Sequence, residues 1–246
     1  MQHIIVPVDL SPNSKAALRY AAHIAAAVKV GITVVFAYSL LEKAIRYTTK
    51  KGQVDKDPDK WIQNRIDKIH ASRPDVDVQY KIIKGDILDN LRRLINTTGA
   101  DLIILGCQGK DENEESFLGS VSVAVVKTSS EPVLLIPPKF KFRYLQNIVC
   151  VTNNAAENIF ETHNPLNQLK EIFQPGIHIL PTGNERFENA KSIENFQETL
   201  NQQNADLLII HRREKGFMET ILGTTRMSIE KFKINIPLLV LVGGDS

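Results

Sequence analysis

Residues 106–120 read Gly-Cys-Gln-Gly-Lys-Asp-Glu-Asn-Glu-Glu-Ser-Phe-Leu-Gly-Ser. Two residues separate Gly106 from Gly109, nine separate Gly109 from Gly119, and a hydroxyl follows at Ser120. The apolar run 101–105 (DLIIL) comes just before. Chemistry suited to that spacing is phosphate binding between a buried strand and a helix. Glycine lets main chain approach an anion closely, and the N–H groups of Gly119, Ser120 and Val121 at a helix start favour negative charge. A plainer reading uses the same residues: Gly106 and Gly109 shape a βα turn and Gly119 opens a helix. Spacing alone leaves both readings standing.

Three further segments frame the loop. The chain opens HIIVPVDLSPNS at 3–14, an apolar strand that ends at Asp9, followed by Ser11-Pro12 as an N-cap and first-turn proline. IIKGDILDNLRRLI occupies 82–95, GADLIILG precedes the loop at 99–106, and EPVLLIPP follows it at 131–138. Together these segments resemble the universal stress protein family. ATP-binding members carry G-x2-G-x9-G-[S/T] after strand four and an aspartate at the end of strand one.

The resemblance covers 1–138 and implies an α/β, Rossmann-like, doubly wound parallel sheet of order 3-2-1-4-5 in which strands one and four border one crevice. It implies ATP or a related adenine nucleotide as ligand, with Mg²⁺ where needed, and a regulatory role in stress response. The nucleotide-binding residues are then Pro7, Asp9, Ala37, Tyr38, Gly106, Gly109, Gly119, Ser120 and Val121. Asp9 would accept from ribose hydroxyls, the favoured role, although it could instead cap the turn before the first helix. Main-chain groups of Ala37 and Tyr38 would meet the base, with the Tyr38 ring stacking on the purine or filling its place. Four carboxylates (Asp111, Glu112, Glu114 and Glu115) stand inside the motif. They would repel a triphosphate unless a divalent cation intervenes or they point to solvent.

Strands are expected near 3–8, 32–38, 78–83, 101–106 and 132–136, and helices near 12–29, 57–71, 86–98 and 119–129. Trp61 and Ile62 are the expected packing residues of the second helix. A weaker copy follows. Gly99-Ala100-Asp101-Leu102-Ile103-Ile104 recurs as Asn204-Ala205-Asp206-Leu207-Leu208-Ile209, HIIVPVD as NIVCVTN at 147–153, and EPVLLIP as IPLLVLV at 236–242. This is a tandem repeat, with domains expected at 1–138 and 144–246. The copy has room for only one strand, near 177–181, between its first strand and its final βα unit. It carries Asn153 for Asp9 and His211-Arg212-Arg213-Glu214 for the Gly-x-x-Gly, and Gly223-Thr224 arrives one residue early. A second nucleotide site is not expected. The His211–Arg213 cluster reads as a solvent-facing strand end, or less readily as another anion site.

Family members pair through their last strands, so 133–136 and 238–242, both apolar, are expected to join the halves as an intramolecular pseudo-dimer. A homodimer and an unidentified protein partner remain compatible with the sequence. Lys139, Lys141 and Arg143 make 137–144 a basic linker, read as a solvated connection.

Net charge is +2 in 246 residues, which gives no reason to expect nucleic acid or an anionic membrane as partner. No apolar run reaches membrane-spanning length and the start does not resemble a leader, so a cytoplasmic location is expected. Cys107 and Cys150 offer no disulfide framework. Cys150 reads as a core residue. Cys107, beside loop N–H groups, could hold a thiolate, though redox sensing is the lesser reading. The six histidines are scattered without ligand spacing, and His23 on the alanine-rich first helix reads as a packed or surface residue. No catalytic motif is present. The readings in order are nucleotide binding, a nucleotide-free interaction module, and slow metal-dependent ATP hydrolysis through Ser120 or Asp9.

Overall fold

The computed structural model describes residues 1–38, 57–107, 118–152, 160, 163–181, 190–212 and 234–242. The first half runs β1 (His3–Pro7), α1 (Pro12–Val28), β2 (Gly31–Tyr38), α2 (Pro58–Ser72), β3 (Val78–Lys84), α3 (Ile87–Thr98), β4 (Leu102–Gly106), α4 (Ser120–Thr128) and β5 (Val133–Ile136). The second runs β6 (Asn147–Val151), α5 (Asn164–Phe173), β7 (Gly176–Leu180), α6 (Ala190–Gln202), β8 (Leu207–His211) and β9 (Leu238–Leu241).

Helix starts follow side-chain chemistry. Ser11 Oγ accepts from Ser14 N at 3.1 Å and Pro12 opens α1 with its fixed φ. Asp57 with Pro58 does the same for α2, and Asp86 accepts from Leu88 N and Asp89 N at the start of α3. Gly99 ends α3 in the left-handed region, φ 64°, where a Cβ is costly. At the matching place before β8 stands Asn204, φ 47°, one of the few other residues that tolerates it.

All described strands form one sheet of order β3-β2-β1-β4-β5-β9-β8-β6-β7. The 3-2-1-4-5 order expected for the first half is present. Every neighbouring pair is parallel except β5 with β9, which run antiparallel with Leu134 opposite Leu239. Both strands are essentially fully buried. Leu134, Ile136, Leu239 and Leu241 face the core that contains α1, α2 and α5 residues, while Val133, Leu135, Leu238 and Val240 face the α3, α4 and α6 side. Each core therefore runs unbroken through the join of the halves.

Repeat equivalence extends to hydrogen bonds. The Asp101 carboxylate accepts from Gln2 N and His3 N, and Asp206 from Gln146 N and Asn147 N. Ile103 N donates to Pro132 O as Leu208 N does to Pro237 O. Among the described residues the second half has no counterpart of β3, in keeping with the missing βα unit read from the spacing. β7 is an edge. Its Ile179 is 48% exposed, whereas Val34, at the matching position of β2, is 0% exposed.

Two expectations are corrected. The linker is packed, because from Phe140 on its aromatics and cations alternate as in an extended chain, which leaves Phe140 and Phe142 half-buried and Lys141 and Arg143 in water. Phe140 and Phe142 lie 6.1 and 5.1 Å from the Tyr20 ring, Phe142 stacks on His23 at 4.3 Å, and Tyr144 meets Phe173 of α5 edge-on at 5.0 Å. The strand end at 211–212 does not point into solvent either. His211 is buried. Arg212 Nη1 donates to Ser129 O at 2.8 Å, with the Lys127 and Val126 carbonyls at 3.3 and 3.4 Å, so a cation of the second half closes the carbonyl end of α4 in the first. Arg213, Glu214, Gly223 and Thr224 lie outside the described residues.

Arg212→Met is expected to lower stability by about 1–2 kcal/mol, the worth of a charged helix-end contact. Urea denaturation followed by circular dichroism checks it, and a change near zero would show the contact to be idle. His23 gives a pH test. Burial first, then the charges of Arg73 and Arg19, lowers its pKa from 6.5 to about 4. The unfolded chain therefore binds the proton more readily, and stability is expected to fall as pH drops from about 6.5 towards 4. His23→Gln should flatten that slope in melting curves, and an unaltered slope would exclude His23 as its source.

Candidate functional site

β1 pairs with β2 on one side and β4 on the other, so the strand order reverses at β1 and the connections on the two sides diverge. Ligands in open α/β sheets bind beyond the carboxyl ends of strands at such a point. The register Ile4↔Leu102 and Ile5↔Ile103, carried forward, sets Val8 level with Gly106 and Asp9 level with Cys107. The two motifs singled out in the sequence therefore end on one rim.

Pro7 closes β1 opposite Val35, and Val8 N donates to Val35 O at 2.8 Å. Asp9 follows, half-buried, with Oδ1 accepting from Ser11 N at 3.0 Å. That bond is the turn-capping role allowed for Asp9. Leu10 then adopts φ 64° with its side chain buried. A left-handed leucine costs about 1–2 kcal/mol, offset here by burial of its side chain. The sequence reading missed Leu10. No local signal distinguishes a left-handed leucine from an extended one.

Gly106 ends β4. A Cβ there would lie 3.0 Å from the carbonyl carbon of Asn13 and 3.1 Å from its Cβ and its carbonyl oxygen. The first turn of α1 thus approaches the end of β4 because Gly106 has no side chain, a structural reason that the sequence argument, centred on phosphate, did not include. Asn13 itself is 2% exposed. Gly119 N donates to Cys107 O at 2.7 Å, and Leu118 is buried beside it. Ser122 Oγ donates to Gly106 O at 2.9 Å, fixing α4 against β4. Gly109 and the carboxylates at 111, 112, 114 and 115 lie outside the described residues.

Gly119 is the N-cap of α4, with φ −72° and ψ 161° and no side-chain cap. The first-turn N–H groups at Ser120 and Val121 have no intrahelical acceptor by the geometry of any helix start, and both residues are exposed. They are donors for an anion. On the other side of β1, β2 continues past the end of its partner to Ala37 and Tyr38, both half-buried. Tyr38 O accepts from Gly85 N at 3.0 Å, on the β3 side. Adjacent carbonyls alternate along a strand, so that of Ala37 points to the β1 side. The Tyr38 ring packs at the margin of the α1-side core.

Cys107 is fully buried, and burial pushes its thiol pKa well up. A reactive thiolate does not form there, and the redox reading falls. Cys150 is likewise a core residue of β6 with its pKa raised to about 12 by burial. Among the described residues no cluster of three metal-ligating side chains occurs.

The matching place in the second half carries larger side chains. His211 stands where β4 has Gly106, and its ring lies 6.1 Å from that of His163, the N-cap residue of α5. Both imidazoles are 8% exposed. Asn153, at the position of Asp9, lies outside the described residues.

Comparison with known proteins matches this geometry. A curated universal stress protein of Methanocaldococcus jannaschii is 33% identical over 79 residues, 31% of this chain and 49% of that protein. The chain therefore spans about half the length of the curated relative it matches. Over nearly its whole length the fold is similar to a universal stress protein of Archaeoglobus fulgidus, with a TM-score of 0.59 and 20% identity, covering 99% of this chain and 97% of that one. A Pseudomonas aeruginosa protein of unknown function gives a TM-score of 0.60 at 11% identity, covering 98% and 92%. No described helix is long and apolar enough to cross a membrane. The family model itself matches residues 1–137, the whole of the first parallel half that holds the β1–β4 crevice, and the chain belongs to the universal stress protein family.

Proposed function

We propose that the crevice between β1 and β4 binds ATP or a related adenine nucleotide, in the first half only, and that the bound state carries a regulatory signal in the stress response. The observation that supports this most directly is the meeting on one rim of a carboxylate and a helix start with open donors. One Asp9 oxygen is taken by Ser11 N and the second remains for a ribose hydroxyl. The N–H groups of Ser120 and Val121, with the Ser120 hydroxyl and the Gly119 main chain, are placed for phosphate oxygens. Ala37 would offer its main chain to the base, and Pro7 would form the floor beside it. Such a donor set fits a nucleotide and does not by itself hydrolyse one.

Restriction to the first half follows from His211. An imidazole takes the place of Gly106, and His163 lies against it. A phosphate finds neither the space nor the glycine spacing there. Asp111, Glu112, Glu114 and Glu115 belong to the motif by sequence, and their charge leads us to expect tighter binding with Mg²⁺ present.

Native mass spectrometry of the freshly purified chain, with and without Mg²⁺-ATP, gives the first test, and one adenine nucleotide per chain is the expected result. Because one solved universal stress protein is a complex with cAMP, cAMP belongs among the competitors. Gly119 has an extended backbone, so Gly119→Val should fold normally and weaken binding at least about tenfold, or about 1.4 kcal/mol. Ser120→Ala should cost about 1 kcal/mol, the worth of one neutral hydrogen bond. Gly106→Ala is a poor probe, since its Cβ strikes Asn13 whether or not ligand binds. Unchanged affinity in Gly119→Val would remove the loop from the site. If no nucleotide binds even in excess, the protein is better read as an interaction module in which Asp9 only caps its turn.

A further inference from the structure

Several cations of the first half lie together along α1 and α2. α1 contains no acidic residue and turns its alanines inward, leaving Lys15, Arg19 and His23 one turn apart along its outer side. Beside them, α2 contributes Arg65 and Lys68, and Arg73 follows its end. The groups are close enough to act on one another. Burial, then the charges of Arg19, Arg65 and Lys68, lower the pKa of Lys15, and Arg73 Nη2 lies 2.8 Å from the His23 ring. Among the described residues the ion pairs are Met1 with Asp101 and Lys60 with Asp57, so none of these cations is neutralised by one. Of the carboxylates on α2, Asp59 accepts from the Tyr80 hydroxyl and Asp67 from the Gln63 amide, and neither forms an ion pair with these cations among the described residues. Arg65 spreads over Trp61 at 4.2 Å, and its Nε is buried with no hydrogen-bond partner. Phe142, stacked on His23, brings the exposed linker cations Lys141 and Arg143 to the same side.

Like charges held together in a chain of net charge +2 cost stability unless something offsets them. We propose that the α1–α2 ridge formed by Lys15, Arg19, Arg65, Lys68 and Arg73 is a docking surface for an acidic peptide segment of a protein partner. Charge complementarity sets the sign, and spacing favours a peptide. Lys15 and Arg19 are about 6 Å apart along the axis of α1, close to the roughly 6.8 Å between alternate residues of an extended chain, so two carboxylates on one side of a strand-like segment meet them in register. Guanidinium forks suit carboxylates. Single-stranded nucleic acid fits less well, because the aromatics at the ridge are turned inward or covered: Phe142 is held by Tyr20 and His23, and Trp61 lies beneath Arg65. An anionic membrane would be met without a large exposed apolar residue on α1 or α2. This surface lies on α1 and α2 and does not depend on nucleotide in the crevice.

The test uses the full chain and fluorescently labelled hexaglutamate, read by anisotropy at low and at physiological salt. Saturable binding that weakens with salt is expected. The double variant Arg19→Glu/Lys68→Glu, both residues exposed, should weaken it about tenfold or more. The control Arg92→Glu/Lys127→Glu removes the same charge from α3 and α4 on the opposite sheet face and should leave binding unaltered. Melting curves establish that each variant is folded, and if Arg19→Glu/Lys68→Glu is not, Arg19→Gln/Lys68→Gln should show a smaller loss in the same direction. Absence of saturable binding at low salt, equal loss in the control, or tighter binding of oligothymidylate or phosphatidylserine vesicles than of hexaglutamate would overturn the proposal.

Discussion

The antiparallel pairing of β5 with β9 is the contact on which the rest of the molecule depends. Each half is a parallel sheet, and its last strand carries apolar side chains towards both faces. Left at an edge, Val133–Ile136 or Leu238–Leu241 would present unpaired main chain and a strongly apolar surface together, the condition under which sheets aggregate. Pairing one edge with the other satisfies both and creates an internal two-fold axis near Leu134 and Leu239. The remaining cross-contacts reinforce it. On one face the linker aromatics tie α1 to α5, and on the other Arg212 closes the end of α4. Neither half is therefore indifferent to the other, although the candidate site uses only the first.

The fold was legible because its punctuation is local. Ser11-Pro12, Asp57-Pro58, Asp86 and Gly99 mark helix ends through bonds made within a few residues, and the expected elements of the first half lie within about two residues of those observed. The repeat was legible because the bonds that align it, from Asp101 and Asp206 to strand starts, need a particular side chain at a particular place. Long-range chemistry was not. Arg212 meets acceptors more than eighty residues away, and a run of His, Arg and Arg at a strand end looks the same in sequence whether it caps a distant helix or faces water. The linker misled for a different reason. Its three cations dominate a count of charge, while the alternation that half-buries Phe140 and Phe142 shows only when the segment is treated as extended.

At the candidate site the motif ends on the same rim as Asp9, and phosphate binding is an incomplete reason for one of its members. Glycine at 106 serves α1 packing through Asn13 as well as any ligand, so the glycine spacing is partly a statement about how closely a helix approaches a strand end. Cys107 shows the same limit from the other side. Its place between loop glycines suggested an activated thiol, but the chain turns it into the core, where burial holds the proton on.

The two halves diverge where the sheet does not constrain them. Residues that start strands, end helices or pair β5 with β9 have matching partners, whereas the strand ends that would hold ligand differ completely, Gly106 against His211 and Cys107 against Arg212. An imidazole takes the first of these positions, and a guanidinium at the second contributes to the contact between halves. Loss of a βα unit follows the same logic, because the third strand lies farthest from the β5–β9 join and its removal leaves that contact intact. What it leaves exposed is β7, whose Ile179 lacks the cover that β3 and α2 give β2. The short strand, only five residues long, is one of the ways in which such an edge is kept from recruiting another chain. The second half has thus kept what the join requires and differs from the first at its strand ends.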